Sequence, residues 1–185
     1  MSSRSKPSSS ASAARTAIRR LAKEFASIQS QIGDAAPGRG GEEIEEGIER
    51  LGPPDHDDLL HWEAVINGRG LGGGYAEGRW LLKITIPPTY PLTPPEIKFA
   101  TSIVHSNVKL ETGEICLDLL KDAWTPAYSV LECVKAVRML LDHPGIDSPL
   151  NVDVAALLRD GDERGARGLV ELWIEDVEGG RYSGL

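Results

Sequence analysis

The chain has 185 residues, 41% hydrophobic and 26% charged, with a net charge of -8. That balance suits one globular domain with a buried core and polar ends, and the acidic excess disfavours sequence-independent binding to nucleic acid. No apolar run reaches the roughly 18–20 residues of a membrane span, and two cysteines, Cys116 and Cys133, are too few for a disulfide framework or a cysteine zinc site.

The first residues, MSSRSKPSSSASAAR, lack the apolar stretch of a secretory signal, so a cytosolic protein is expected. Residues 1–13 are Ser/Ala-rich and read as a disordered tail. From Ala14 to Ile32, Ile18, Leu21, Phe25, Ile28 and Ile32 recur at helical spacing, and Gly33 is placed to end the helix. Arg15, Arg19, Arg20 and Lys23 fall mostly off that stripe. Residues 33–58 are Gly-rich and then acidic. They read as a mobile insertion with one helical turn around Ile44–Leu51, the acidic run being a solvated face.

Three runs with period-two alternation follow: His61–Ile66, Trp80–Ile86 and Glu96–Ala100. Such alternation predicts strands of an antiparallel sheet with one packed face. NGRGLGGGYAEG links the first two as a flexible hairpin. PPTYPLTPPE breaks the chain before the third and offers X-Pro bonds that tolerate the cis form. Ser129 and Glu132 form a capping box ahead of a helical stripe of Val130, Val134, Val137 and Leu141. A short helix over Asp153–Arg159 and a last one over Glu163–Val177 complete the order. Helix, sheet meander, irregular loop, helices: the class is α+β, with one domain over residues 14–178 and a tail over 179–185. The closing Ser183-Gly184-Leu185 lacks the basic middle residue of a peroxisomal import tripeptide and reads as a plain tail.

The chemistry centres on HSNVKLETGEICLDLL, residues 105–120. Cys116 there admits several readings. By residue type alone the buried thiol leads, since free cysteine is among the most buried side chains. A Cys–His pair with His61, His105 or His143 is conceivable, but no spacing places any of them beside the thiol. A metal site fails for want of ligands. The fourth reading is a nucleophile that carries an acyl group, which needs an accessible thiol, a turning approach loop and an oxyanion donor. Thr112-Gly113 makes the turn, Leu117, Leu119 and Leu120 anchor the far side, and Asn107 offers a carboxamide donor.

Several spaced motifs resemble the ubiquitin-conjugating enzymes. YPLTPPEIKF at 90–99 is similar to that family's Tyr-Pro-x-x-Pro-Pro-x-x-x-Phe signature, His105-Ser106-Asn107 to its His-Pro-Asn motif, GEICLD at 113–118 to its active-site segment, and Trp124-Thr125-Pro126-Ala127 to its Trp-x-Pro loop. The resemblance runs from Arg15 to Val177. It implies that Cys116 takes ubiquitin from an activating enzyme as a thioester and passes it to a substrate with a RING-type ligase. It assigns Asn107 to the oxyanion and Ser148 to orienting or deprotonating the attacking group, with turn capping the bland alternative for Ser148. His105 and Trp124 belong to the active-site motifs. Arg19, Arg20 and Lys23 match the face used for the activating enzyme, and Leu92, Pro126 and Ala127 match the ligase-contacting loops. No cofactor is implied, because ATP is consumed by the upstream enzyme.

Three departures stand out. Ser106 replaces the family proline, a change that typically costs about 0.4–1 kcal/mol through the unfolded chain. The span from Asn107 to Cys116 is one residue longer than is common, and the first hairpin is Gly-rich. The longer loop and the run DSPLNVDVAALLRDGD from Asp147 to Asp162 resemble the family's peroxisomal branch, as does Cys133 within Leu131–Val134. That branch implies monoubiquitination of the cycling peroxisomal import receptor, recruitment by a membrane-anchored peroxin, and a place at the cytosolic face of the peroxisome without direct membrane insertion. A general cytosolic conjugating enzyme and a non-catalytic scaffold are the competing readings. Cys133 itself reads as a helix-core thiol.

Overall fold

A computed structural model of the protein describes residues 9–32, 44–176 and 180–184. Helix α1 spans Ser9–Ile32. Four strands follow, β1 Ile48–Gly52, β2 His61–Asn67, β3 Arg79–Thr85 and β4 Glu96–Phe99, and they pair in sequence order as one antiparallel sheet. Helices α2 Val130–Asp142, α3 Val152–Arg159 and α4 Glu163–Asp176 complete the chain.

The alternation in β2 to β4 sets the register. Trp62 pairs with Ile84, Ala64 with Leu82 and Ile66 with Trp80. Leu82 in turn faces Phe99, and Ile84 faces Ile97. These side chains share one buried face, and Ala17, Leu21 and Ile28 of α1 and Val130, Cys133, Val134, Val137 and Leu141 of α2 join the same core. Fully burying an aliphatic or aromatic side chain contributes roughly 1.5–3 kcal/mol, so this layer holds the sheet and helices together. The Tyr90–Pro91 bond is cis. The expected capping box is present: Ser129 Oγ accepts from Glu132 N at 3.3 Å, and Glu132 Oε2 accepts from Ser129 N at 2.7 Å. Among the described residues no helix is long and apolar enough to cross a membrane.

Three expectations need correction. First, α1 begins at Ser9, so residues 9–13 of the expected tail are helical. Alanine favours helix without an apolar stripe to mark it. Second, in place of the helical turn expected at 44–51, the chain makes a tight turn at 44–47 and enters strand β1 at Ile48. Ile44, Ile48 and Leu51 have helical spacing, but all three are buried, and a bulge between Ile48 and Arg50 breaks the period-two pattern. The acidic run is not merely solvated either. Glu45 pairs with Lys135 and Glu49 with Arg79. Third, the tail docks: Tyr182 N donates to Arg79 O at 2.7 Å, and the Arg79 guanidinium lies 5.1 Å over the Tyr182 ring. Residues 1–8 and 33–43, including Gly33, lie outside the described residues, as do Val177 and Leu185.

Candidate active site

From β4 the chain passes through buried Ile103 and Val104 into His105-Ser106-Asn107, all three buried. His105 is a structural hinge. Its Nε2 lies 3.0 Å from Leu140 O, and its Nδ1 accepts from Asn107 N at 3.0 Å. A carbonyl can only accept and an amide N–H can only donate, so the ring is the neutral Nε2–H tautomer. Burial pushes its pKa down to about 4, against the lesser upward pull of the Leu140 carbonyl. A base with both nitrogens so occupied does not serve Cys116. His61 is engaged with Asp58 at 2.7 Å and His143 with Met139 O at 3.1 Å. Among the described residues no histidine bonds the Cys116 thiol, and the Cys–His reading falls.

Asn107 connects to the cysteine through the backbone. Cys116 N donates to Asn107 O at 2.8 Å, and Val108 bridges Ile115 in antiparallel fashion. The intervening loop folds on itself, with Lys109 N bonded to Glu114 O at 2.9 Å and Gly113 N to Lys109 O at 2.8 Å. Gly113 has φ +69, and a Cβ there would sit 1.9 Å from Phe99 O. Only glycine permits the approach that lets Phe99 N bond Gly113 O at 2.9 Å. The loop is therefore stitched to the end of β4 and delivers Cys116 half-exposed.

After the cysteine, a 3-10 turn over Asp118–Leu120 carries Lys121 back, and its Nζ donates to Cys116 Sγ at 3.5 Å. Leu117, Leu119 and Leu120 pack partly buried against the core, the anchoring expected of them. A groove of about 340 Å³ runs beside this turn, lined by Ile97, Lys98, Ile115, Leu120, Lys121 and Leu150. Glu96 and Glu114 also line it and pair with Lys98, so the groove mixes apolar surface with charges of both signs. Cys133 differs in every respect. It is fully buried, and burial with the nearby Glu24 charge pushes its thiol up to about 12.

The Asn107 carboxamide is 5% exposed and clasps the turn after α2. Oδ1 accepts from Gly145 N at 2.7 Å and from Ser106 Oγ at 3.1 Å, and Nδ2 donates to Gly145 O at 2.9 Å. Ser106 O accepts from Leu150 N at 2.8 Å and Asn151 N at 3.0 Å. Ser148 sits exposed in this tethered loop between α2 and α3.

The remaining candidates gather on a second surface. Leu92 is 78% exposed, and Pro126 and Ala127 are exposed on the neighbouring loop. Trp124 joins the two loops, its Nε1 donating to Pro91 O at 2.9 Å. Arg19 and Lys23 are exposed on α1, but Arg20 is half-buried, paired with Glu24 and donating to Tyr128 O at 3.2 Å. Sequence reasoning missed Glu24. Its carboxylate accepts from Tyr90 OH at 2.7 Å and from Val130 N at 2.9 Å, so one side chain joins α1, the Tyr90 loop and the start of α2. Its place one turn after Arg20 was the available signal, but nothing local reveals Tyr90 or Val130 as partners.

The family model described as ubiquitin-conjugating enzyme matches residues 42–171. The chain is 61% identical over 180 residues to the ubiquitin-conjugating enzyme E2 PEX4 of Gibberella zeae, covering 96% of this chain and 98% of that protein. It is 40% identical over 154 residues to the E2 pex4 of Dictyostelium discoideum, covering 83% and 94% respectively. Its structure is similar to that of the H. polymorpha ubiquitin-conjugating enzyme Pex4p, solved in complex with the soluble domain of Pex22p. The TM-score is 0.75 at 33% identity, covering 84% of this chain and 94% of that one.

Proposed function

We propose that this chain, which belongs to the ubiquitin-conjugating enzyme family, carries ubiquitin on Cys116 and, with a ligase, transfers single ubiquitins to the cycling peroxisomal import receptor. The observation that carries the site assignment is the contrast between its two thiols: Cys116 is accessible and beside a cation, whereas Cys133 is sealed in the core.

In the first step Cys116, having lost its thiol proton to water, attacks as the thiolate the thioester carbonyl that joins ubiquitin to the activating enzyme. The new C–S bond forms, the old one breaks, and the activating enzyme's sulfur leaves as a thiolate. In the second, an amine or thiol of the substrate attacks the same carbonyl, loses its proton to water, and expels the Cys116 thiolate. Both steps pass through an oxyanion. Asn107 Nδ2 has two protons, and Gly145 O takes one. The other supports a role in stabilising that oxyanion, where losing one donor typically costs roughly 10²–10³ in rate. Ser148 is assigned to the approach of the acceptor. Arg19 and Lys23 are assigned to the activating enzyme, and Leu92, Pro126 and Ala127 to the ligase. Arg20 serves these surfaces by holding Tyr128 and Glu24 in place.

The peroxisomal assignment is supported by the 61% identity to a PEX4 enzyme across nearly the whole of both chains. The neighbouring structure's complex with the soluble domain of Pex22p supports recruitment of this chain by a partner of that kind. The test is deletion of the gene with rescue by wild type or Cys116→Ala. Receptor monoubiquitination is expected to vanish on deletion and return only with wild type. Normal receptor recycling without the gene would leave a general cytosolic conjugating enzyme as the better reading.

A further inference from the structure

We propose that Ser106, the residue standing where the family carries proline, is a positioning residue that acts through the Asn107 carboxamide and strengthens it as the oxyanion donor. The inference rests on the proposed role of Asn107. Its basis is the hydrogen-bond pattern around one carboxamide.

Gly145 N can only donate and Gly145 O can only accept, so their bonds to the Asn107 side chain identify Oδ1 and Nδ2 without ambiguity. Oδ1 carries no proton. The hydrogen in its 3.1 Å contact with Ser106 Oγ must therefore come from the serine. Both lone pairs of Oδ1 are then engaged, by Gly145 N–H and by Ser106 O–H. Rotating the carboxamide by half a turn would set its NH2 against Gly145 N–H and its oxygen against Gly145 O, so the Gly145 pair fixes the orientation. In that orientation Ser106 supplies a second donor to Oδ1.

Polarisation acts in the same direction. Donors at an amide oxygen draw electron density through the conjugated C–N bond, and hydrogen bonds in such a chain strengthen one another. The second Nδ2 proton becomes a better donor to a developing negative charge. A proline at 106 has no hydroxyl to do this. Ser106 is also 0% exposed, so water does not compete for the bond. Its backbone oxygen is held separately by Leu150 N and Asn151 N, contacts that removal of the hydroxyl leaves in place.

The test is a double-mutant cycle on single-turnover discharge of the Cys116 thioester to free lysine and free cysteine. Ser106→Ala should slow discharge roughly two- to tenfold, the range of one hydrogen bond's net contribution. In the Asn107→Ala background the same substitution should change nothing, because the residue it acts through is gone. Equal slowing in both backgrounds would mean a merely structural serine and overturn the proposal, as would no slowing in the parent. Wild-type discharge in Asn107→Ala alone would instead defeat the oxyanion reading, and the Ser106 proposal with it. A measurement on the unaltered protein guards against a variant that fails to fold. The Asn107 carboxamide protons should appear in NMR as a resolved, slowly exchanging pair; an averaged, solvent-like pair would overturn the proposal.

Discussion

Acidification should unfasten the active-site turn through one histidine. His105 is fully buried with both ring nitrogens committed, and its pKa is held down to about 4 from an ordinary 6.5 by burial. The unfolded chain binds a proton at His105 below about pH 6.5, and the folded chain does so only near pH 4. Between those values the unfolded state binds more protons, so stability falls as pH falls. Each unit is worth about 1.4 kcal/mol, giving a loss of about 2 kcal/mol by pH 5 and about 3 kcal/mol by pH 4. Below that both states are protonated and this contribution stops changing. Protonated Nδ1 would also confront Asn107 N–H donor to donor, loosening the turn that fixes the candidate oxyanion donor. The assay is denaturant unfolding of wild type and His105→Gln at pH 7.5, 6.5, 5.5 and 5.0. Glutamine keeps a donor and an acceptor but does not titrate, so carboxylate effects cancel in the difference. The wild type should lose more stability than the variant across this window. Parallel slopes, or an NMR titration of His105 near pH 6.5, would refute the reasoning.

Glu24 and Cys133 yield two further expectations. Glu24→Ala strands Tyr90 OH and Val130 N and releases Arg20. At about 1–3 kcal/mol for each abandoned buried group, denaturant unfolding should register a loss of about 3 kcal/mol. Ligase-stimulated discharge should fall more than charging, because the loops carrying Leu92 and Ala127 lose their tie to α1; equal falls would contradict the coupling. For the thiols, iodoacetamide at pH 8 followed by intact mass should add one label, at Cys116, because burial holds the Cys133 thiol protonated. A second label on the folded protein would show that the core is open at Cys133.

Much of this was legible in the sequence where local pattern and final environment coincide. The alternation of Trp80, Leu82 and Ile84 marked a strand because each is buried on one face of a regular ladder. Ser129 and Glu132 announced the start of α2 because a capping box is entirely local. β1 was hidden because its bulge puts Ile48 and Leu51 three apart on one buried face, and Ile44 in the preceding turn extends that helix-like spacing. The docked tail depends on Arg79, about a hundred residues away in the chain, which no local window contains. The site divides in the same way. Cys116 and Asn107 stood out by motif, but the pairing of their backbones needed the loop's fold. His105 looked like a candidate base and is instead a buried brace. Ser106 stood out only as a missing proline, because its hydroxyl bond to Asn107 Oδ1 depends on the fold of the turn.

The central claim is that Cys116 is the thioester-forming residue. The most direct measurement mixes the protein with activating enzyme, ubiquitin and ATP, then resolves the products with and without reductant. A single reductant-sensitive ubiquitin adduct should form on wild type and on Cys133→Ala, and be absent from Cys116→Ala. An adduct of that kind persisting in Cys116→Ala would contradict the account.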